Sequence, residues 1–147
     1  MSSGRGFLLD ANSLLLLIRS DIEARSVKSR VIQDSKILDL TTYEAGNGIW
    51  KESELLKTLS PEETNKLAVD VSLVISSLEK TYVEPSEFSL VLRIAKSERR
   101  TFYDSSYIYV AKRDNMTLIT EDQTLSKIAR KHVQTTTIRE VLTKMKT

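Results

Sequence analysis

Four acidic residues lie at junctions between predicted strands and helices, where carboxylates are candidates for ligand binding and catalysis. Asp10 ends the first predicted strand, Glu44 lies in the first turn after the second, and Asp104 begins the helix that precedes the fourth. Asp122 comes just past the fourth strand. In open α/β sheets, ligands bind beyond the carboxyl ends of the strands, at the point where the strand order reverses. A reversal of that kind would bring these four carboxylates together.

Each of these acids also has a structural interpretation. Glu44 and Asp104 each stand three residues after a threonine, which is the spacing of a helix capping box. Asp122 would complement the N-terminus of a helix through its macrodipole. Asp10 differs, because it follows the apolar residues 7–9 and precedes an apolar helix. Since burial of an unpaired charge is costly, Asp10 needs a cation, a proton or a metal.

The elements that must position these acids alternate between strand and helix. Such an alternation predicts an α/β fold with a parallel sheet covered by helices on both faces. Asn12 or Ser13 is expected to cap the first helix, residues 21–34 to form the second, and Thr41 with Glu44 to open the third. The predicted strands are residues 6–10, 36–40, 82–84, 117–120 and 133–136.

The overall composition is that of a globular protein. The chain has 147 residues, of which 40% are hydrophobic and 29% charged, and this size suits a single domain. No uninterrupted apolar run exceeds five residues, so no segment is long enough to span a bilayer. The N-terminus has no signal-peptide pattern, and we therefore expect a cytoplasmic protein.

Several classes of catalytic site are excluded by the residue types. The chain has no cysteine, which rules out disulfides, thiolate zinc sites and a cysteine nucleophile. A Ser-His-Asp triad would have to use the single histidine, His132, and no nucleophile-elbow motif accompanies it. Neither a P-loop nor a dinucleotide fingerprint is present. The net charge of +2 is too small to indicate nucleic-acid binding by itself.

Two glycines lie inside the predicted third helix, beside a candidate for orienting Glu44. Gly46 and Gly48 each cost a helix about 1 kcal/mol relative to alanine, which is often offset by a backbone or a ligand packed closely against the helix. Asn47 lies between them, three residues after Glu44 and on the same helix face. It either orients that carboxylate or is an outward-facing polar residue.

Four segments contain the acids and their neighbours: residues 7–12 (FLLDAN), 40–52 (LTTYEAGNGIWKE), 101–107 (TFYDSSY) and 118–122 (LITED). Together they resemble the PIN-domain family, and particularly the VapC-type ribonuclease toxins of prokaryotic toxin–antitoxin pairs. They occur in the family's order and spacing and cover nearly the whole chain. Ala11 is a departure, because many relatives carry threonine or serine beside the first aspartate; Ser13 is the alternative source of that hydroxyl.

The resemblance implies one PIN-like nuclease domain over residues 1–147, a three-layer α/β/α sandwich with a central, mostly parallel five-stranded sheet. It implies a metal-dependent endoribonuclease that uses Mg²⁺ or Mn²⁺, cations that prefer hard oxygen ligands. The metal helps to form hydroxide from water and neutralises the phosphodiester charge. The partners implied are an RNA substrate, a second copy in a homodimer, and a small cognate antitoxin at an apolar groove near the second and third helices.

The resemblance also assigns residues to roles. In the fourth segment the family's acid stands two places after Thr120, which selects Asp122 and leaves Glu121 as an outward, dispensable residue. The residues expected to support the site are Asn12, Asn47 and Thr120. The expected metal-binding and catalytic residues are Asp10, Glu44, Asp104 and Asp122.

Two adjacent arginines, Arg99 and Arg100, are the expected contacts for substrate phosphates. They stand just before Asp104, so they would flank an acidic pocket that by itself repels RNA. The alternative is that both simply complement the C-terminus of the preceding helix and stay solvated.

Other functions remain open from the sequence. A receiver-like signalling module also gathers aspartates around Mg²⁺, but Asp10 has no acidic neighbour and residues 82–84 contain no aspartate. A PIN domain that has lost catalysis would serve as a binding scaffold, and the presence of all four acids argues against it. A related nuclease acting on DNA or ribosomal RNA usually has additional domains.

Overall fold

A five-stranded parallel sheet forms the centre of the fold, in a computed structural model that describes residues 6–20 and 25–145. Its strands are β1 (Phe7–Leu9), β2 (Ser35–Leu38), β3 (Glu79–Thr81), β4 (Thr117–Ile119) and β5 (Thr135–Thr136). They lie in the order β3-β2-β1-β4-β5, and every neighbouring pair is parallel. The chain therefore extends the sheet first on one side of β1 and then on the other.

Helices follow each strand. They are α1 (Ala11–Arg19), α2 (Arg25–Gln33), α3 (Asp39–Trp50), α4 (Pro61–Ser77), α5 (Phe88–Glu98), α6 (Phe102–Arg113), α7 (Gln123–Ala129) and α8 (Ile138–Met145). A π-helical turn (Lys51–Leu55) extends α3, and a 3₁₀ turn (Pro85–Glu87) precedes α5. The predicted second helix is observed from Arg25, and residues 21–24 of that prediction lie outside the described part of the chain.

The sheet divides the core into two layers, because successive strand residues point to opposite faces. Leu9 and Ile119 pack in a cluster with residues of α1, α2, α4 and α8. Leu8 and Leu118 pack on the other face with residues of α6 and α7. All four leucine and isoleucine side chains are fully buried. The predicted three-layer α/β/α sandwich around a parallel sheet is thereby confirmed.

The position predicted for the third strand is wrong. The strand is Glu79–Thr81 rather than residues 82–84, and it pairs with β2 with Lys36 opposite Glu79. Because β3 lies at the edge of the sheet, it does not need an apolar sequence, and polar edge residues are common. The Lys36 Nζ lies 3.5 Å from a Glu79 carboxylate oxygen across this pair.

The predictions for the helix starts near the sheet are also wrong in two places. Asp10 itself caps α1 by accepting from the Ser13 amide, a role predicted for Asn12 or Ser13. The third helix begins at Asp39, directly after β2, so Thr41 lies inside the helix and is not its cap. Both helices start as soon as the strand ends, and this brings their first residues to the carboxyl edge of the sheet.

No helix within the described residues is long and apolar enough to cross a membrane, as expected from the sequence.

Candidate active site

A pocket of about 460 Å³ opens at the carboxyl edge of the sheet, and all four predicted acids line it. β1 and β4 are neighbours there, and the strand order reverses beside them. Tyrosines and a lysine complete much of the wall. The polar and aromatic lining residues are Asp10, Asn12, Tyr43, Glu44, Asn47, Lys51, Tyr103, Asp104, Tyr107 and Asp122.

Asp10 is the most buried of the four acids. Its side chain is held at the end of β1, where Oδ1 accepts a hydrogen bond of 2.9 Å from the Ser13 amide. Burial raises the pKa of Asp10, while hydrogen bonds from Thr120 and Ser13 oppose the shift. Thr120 is itself buried, and its hydroxyl accepts from the Asp122 amide at 3.1 Å. The Thr120 side chain therefore links two of the acids, in keeping with its predicted supporting place.

The Ser13 hydroxyl, the alternative to the one missing at Ala11, contacts Asp10 and opposes the rise in its pKa, and its role in the site stays a prediction. It donates to the Ile119 carbonyl oxygen at 3.1 Å and is fully buried. That contact ties the start of α1 to the end of β4 and stabilises the junction on which Asp10 stands.

Glu44 is held by a tyrosine from another helix. The Tyr107 hydroxyl donates to Glu44 Oε1 at 2.6 Å, and the Thr41 hydroxyl lies 2.6 Å from the same tyrosine oxygen. Because the single tyrosine proton is given to Glu44, the Thr41 hydroxyl donates to Tyr107. Thr41 is fully buried inside α3, where its hydroxyl is used in this contact.

Charge and burial keep Tyr107 protonated. Burial and the Glu44 carboxylate both raise the pKa of Tyr107 far above its usual range. The pKa of Glu44 is also raised, chiefly by burial and further by Asp10 and Asp104, although the Tyr107 hydrogen bond opposes the shift. Tyr107 is thus a permanent donor that fixes one oxygen of Glu44.

The sequence interpretation missed Tyr107 as a site residue. It placed this tyrosine at the end of the third family segment, residues 101–107, and gave it no role in the site. A usable signal was present, because Tyr107 lies three residues after Asp104 and residues at that spacing share a helix face. The partner Glu44, however, is 63 residues away in the chain, and only the fold shows that contact.

Asp104 and Asp122 share a cationic neighbour. Arg100 Nη2 lies 2.7 Å from Asp104 Oδ2 and 3.8 Å from Asp122 Oδ2. The other oxygen of Asp122 accepts from the Leu125 amide at 3.0 Å and so caps α7. The structural and the functional interpretation of Asp122 are therefore compatible, since each uses a different oxygen.

The two arginines differ in environment. Arg100 is mostly buried at the pocket, and its Nε has no hydrogen-bond partner among the described residues. Arg99 ends α5 with a positive φ of 55° and has an exposed side chain. Solvation of both side chains, the alternative interpretation, does not describe Arg100.

The remaining predicted residues have mixed outcomes. Asn12 and Asn47 are exposed and line the pocket, and a supporting role for either stays a prediction. Close packing against the helix glycines is observed at Gly48, where a Cβ would lie 3.0 Å from Leu15 Cδ1, whereas Gly46 faces open space.

Glu121 does not face outward as predicted. Its Oε1 accepts a 2.8 Å hydrogen bond from the Ile138 amide, at the start of α8. Glu121 thereby contacts the first residue of α8, while its negative charge still adds to the rise in the pKa of Asp10.

The side chains of the four acids are chemically suited to bind a hard divalent cation. The four acids provide only oxygen ligands, and the buried carboxylate of Asp10 needs compensating positive charge. Within residues 6–20 and 25–145, however, no three histidine, aspartate or glutamate side chains stand close enough together to form a metal site. The four acids thus line one pocket, without lying at coordination distance of one another.

The role of Tyr107 can be tested by Tyr107→Phe, which removes one hydroxyl and keeps the ring. We expect the dissociation constant for Mn²⁺ to rise roughly 10- to 100-fold, the usual effect of losing a partner that orients a metal ligand. Isothermal titration calorimetry measures this without any need for activity. Asn47→Ala is predicted from the sequence to have an effect of the same size.

A matched control lies on the same helix. The Tyr109 hydroxyl donates to Glu87, outside the pocket, so Tyr109→Phe removes a similar hydrogen bond and should leave Mn²⁺ affinity unchanged. Equal affinities for Tyr107→Phe and the wild-type chain would show that Tyr107 does not position Glu44 for metal binding.

Comparison with known proteins points to one family. A family model described as PIN domain matches residues 7–131. Exonuclease VapC9 of Pyrobaculum aerophilum is 35% identical over 119 residues, which cover 81% of this chain and 82% of that protein.

Solved structures show the same fold. The crystal structure of PAE2754 from Pyrobaculum aerophilum superposes with a TM-score of 0.79 at 27% identity and covers 97% of both chains. The structure of FitAB bound to an IR36 DNA fragment has a TM-score of 0.62 at 19% identity, and the match covers 90% of this chain and 94% of that one. The structure of FitAcB from Neisseria gonorrhoeae has a TM-score of 0.58 at 18% identity, and the match covers 90% of this chain and 98% of that one.

Proposed function

Because the chain belongs to the PIN domain family, we propose that this VapC-like nuclease is a metal-dependent endoribonuclease, the toxin of a toxin–antitoxin pair. The observation that carries the proposal is the convergence of Asp10, Glu44, Asp104 and Asp122 on one pocket at the carboxyl edge of the sheet. Family membership removes the receiver-like alternative. The inactive scaffold remains as the competing function.

The four acids would hold Mg²⁺ or Mn²⁺ together. When bound, such a cation neutralises charge on the phosphate and lowers the pKa of a water molecule. The chain's own residues prepare the pocket for this. Tyr107 fixes one oxygen of Glu44, and the Leu125 amide fixes one oxygen of Asp122, so each carboxylate is oriented before a ligand arrives. Arg100 brings positive charge to a wall that would otherwise repel a polyanion.

The decisive experiment is incubation of the purified chain with RNA in the presence of Mg²⁺, Mn²⁺ or EDTA. Cleavage with either cation and its loss with EDTA are expected. A circular RNA should be included, because the relative named above is called an exonuclease and only an endonuclease can open a circle. Absence of cleavage under every condition would favour the inactive scaffold.

The arginines are proposed to bind substrate phosphates. Arg99→Ala should weaken RNA binding and reduce the magnitude of the slope of log affinity against log salt concentration by roughly 0.7, because one counterion fewer is released when a single strand binds. Replacing Arg100 by alanine as well should reduce the slope by a similar further amount. Fluorescence anisotropy at several salt concentrations measures both.

A control for the arginine prediction is Arg139→Ala, an exposed arginine of α8 that does not line the pocket. It should leave the slope unchanged. A slope that does not respond to the loss of Arg99 and Arg100 would place both side chains outside the path of the RNA.

We further propose a small antitoxin and a homodimer as protein partners. Large apolar side chains are exposed at the end of α3, in the π-helical turn and on α4, and not on the described residues of α2. Others are exposed on α5. We propose the apolar side chains of the third and fourth helices as the antitoxin surface, whereas the groove was predicted near the second and third. The exposed side chains there are Trp50, Leu55, Leu56, Val69 and Leu73.

Both partners can be tested directly. A small protein should co-purify with the chain from its native host, and Leu73→Asp should abolish that association. Light scattering should show a dimer at micromolar concentration, and a monomer there would contradict the proposed homodimer.

A further inference from the structure

Two tyrosines at the rim of the acidic pocket are strongly exposed to solvent. The side chain of Tyr43 is 81% exposed and that of Tyr103 59% exposed, and both line the pocket. Each directly precedes one of the site acids, Glu44 in α3 and Asp104 in α6. Aromatic side chains usually dominate cores and interfaces, so two exposed rings at one pocket require an explanation.

Packing of the fold does not account for these rings. Tyr107, from the same helix as Tyr103, is almost fully buried and carries a hydrogen bond to Glu44. Phe102, the immediate neighbour of Tyr103, packs against Phe88 with ring centroids 5.0 Å apart and the rings tilted by 54°, and so joins α6 to α5. Tyr103 therefore lies beside residues that do the packing, while its own ring faces the pocket and solvent.

The chemistry of the rim is suited to one kind of ligand. A phenol ring offers a flat face on which any nucleobase can stack, and such stacking tolerates every base because each has a π-face. The pocket that these rings line also contains the carboxylates and Lys51, which suit a phosphate and its counter-ion better than an apolar group. A base stacked at the rim would leave its phosphate directed toward the acids.

We propose that Tyr43 and Tyr103 bind unpaired nucleobases that flank the phosphate held in the pocket. The inference rests on the proposed nuclease function and deepens it, since it names two side chains of this chain that bind the bases of the substrate. Bases that are paired in a duplex are stacked on one another and cannot present their faces to these rings.

The test measures binding of short RNAs by fluorescence anisotropy, in an Asp10→Asn background so that the substrate survives. Tyr43→Ala and Tyr103→Ala should each weaken binding of single-stranded RNA roughly 5- to 100-fold, the range seen when stacking platforms are removed. Tyr43→Trp and Tyr103→Trp should restore it. Duplex RNA of the same length should bind weakly to every variant.

Binding of abasic RNA tests the stacking contact more directly. An oligonucleotide that lacks the bases beside the central phosphate should bind the alanine variants and the parent equally, because the stacking partner is already missing. A loss on alanine substitution that persists with abasic RNA would overturn the inference, and so would unchanged binding of ordinary single-stranded RNA.

Tyr82 provides a matched control for exposure and residue type. Its side chain is 51% exposed and does not line the pocket, so Tyr82→Ala should bind RNA as the parent does.

The cleavage assay distinguishes the stacking role of the tyrosines from the nuclease function. Wild-type cleavage with unaltered binding by the tyrosine variants would reject the stacking role alone, whereas no cleavage by the wild-type chain rejects the nuclease.

Discussion

Asp122→Asn is expected to lower RNA cleavage by about 10³-fold, whereas Glu121→Gln should retain activity. Charge stabilisation by a bound metal contributes several kcal/mol to the transition state, and each 1.4 kcal/mol corresponds to about a factor of ten in rate. Asparagine keeps an oxygen that accepts from the Leu125 amide, so α7 stays capped and the fold should be unaffected. The change therefore removes charge from the pocket and little else.

Glu121→Gln is the matched control, because it alters the adjacent acid in the same isosteric way. Glutamine keeps an oxygen for the Ile138 amide and so preserves the cap of α8. Cleavage rates of both variants with saturating Mg²⁺ measure the difference. The reverse outcome, with Glu121→Gln inactive and Asp122→Asn active, would mean that the motif is shifted by one residue.

Asp10→Asn should abolish cleavage to a similar extent and at the same time stabilise the metal-free protein. Asp10 is only 8% exposed, and burial raises the pKa of its carboxyl, so its ionised form is less favourable in the fold than it is in water. A neutral amide avoids that cost. In EDTA, the Tm should rise by roughly 2–4 °C for each 1 kcal/mol gained, the ratio typical of a chain of this size.

Asp39 is a suitable control for this prediction. It follows β2 as Asp10 follows β1, but it is exposed and lies outside the pocket lining. Asp39→Asn should therefore leave the activity intact and should not raise the Tm. A lower Tm for Asp10→Asn in EDTA would show that the charge of Asp10 is already compensated within the fold.

These predictions share one structural feature, which is that the site acids also build the fold. Asp10 and Asp122 cap the helices that follow their strands, and Glu44 accepts from a buried tyrosine. Such contacts orient the carboxylates, because a side chain with one oxygen already bound has few rotamers left. Isosteric amide substitutions are therefore better tests than alanine, which would remove the cap together with the charge.

Local pattern alone was sufficient for much of the fold. Short apolar segments that alternate with amphipathic ones predict a parallel sheet with helices on both faces, because strands buried on both sides must be apolar throughout. The positions of the four acids followed in the same way, since each stands where a strand or a helix begins or ends. Their gathering at one edge is a consequence of parallel strands, whose carboxyl ends lie together.

Similar sequence patterns led to different local structures elsewhere. Thr101 caps its helix as its spacing to Asp104 predicts, but Thr41, with the same spacing to an acid, does not. The difference arises because β2 ends at Leu38, two residues before the predicted end of that strand, and α3 begins directly after it. The length of a strand depends on its pairing with neighbouring strands, which a local pattern does not contain.

The sequence by itself therefore determined the fold class, the order of the elements and the identity of the acidic residues, since these depend on residue type and spacing along the chain. Only the tertiary structure decided which partner each acid has: Tyr107 for Glu44, Arg100 for Asp104, and the Ile138 amide for Glu121. The Glu44 and Glu121 contacts join residues far apart in sequence. They form because α6 packs against α3 and α8 lies beside β4. This packing brings polar groups within reach of one another, and polar groups that are buried must be paired.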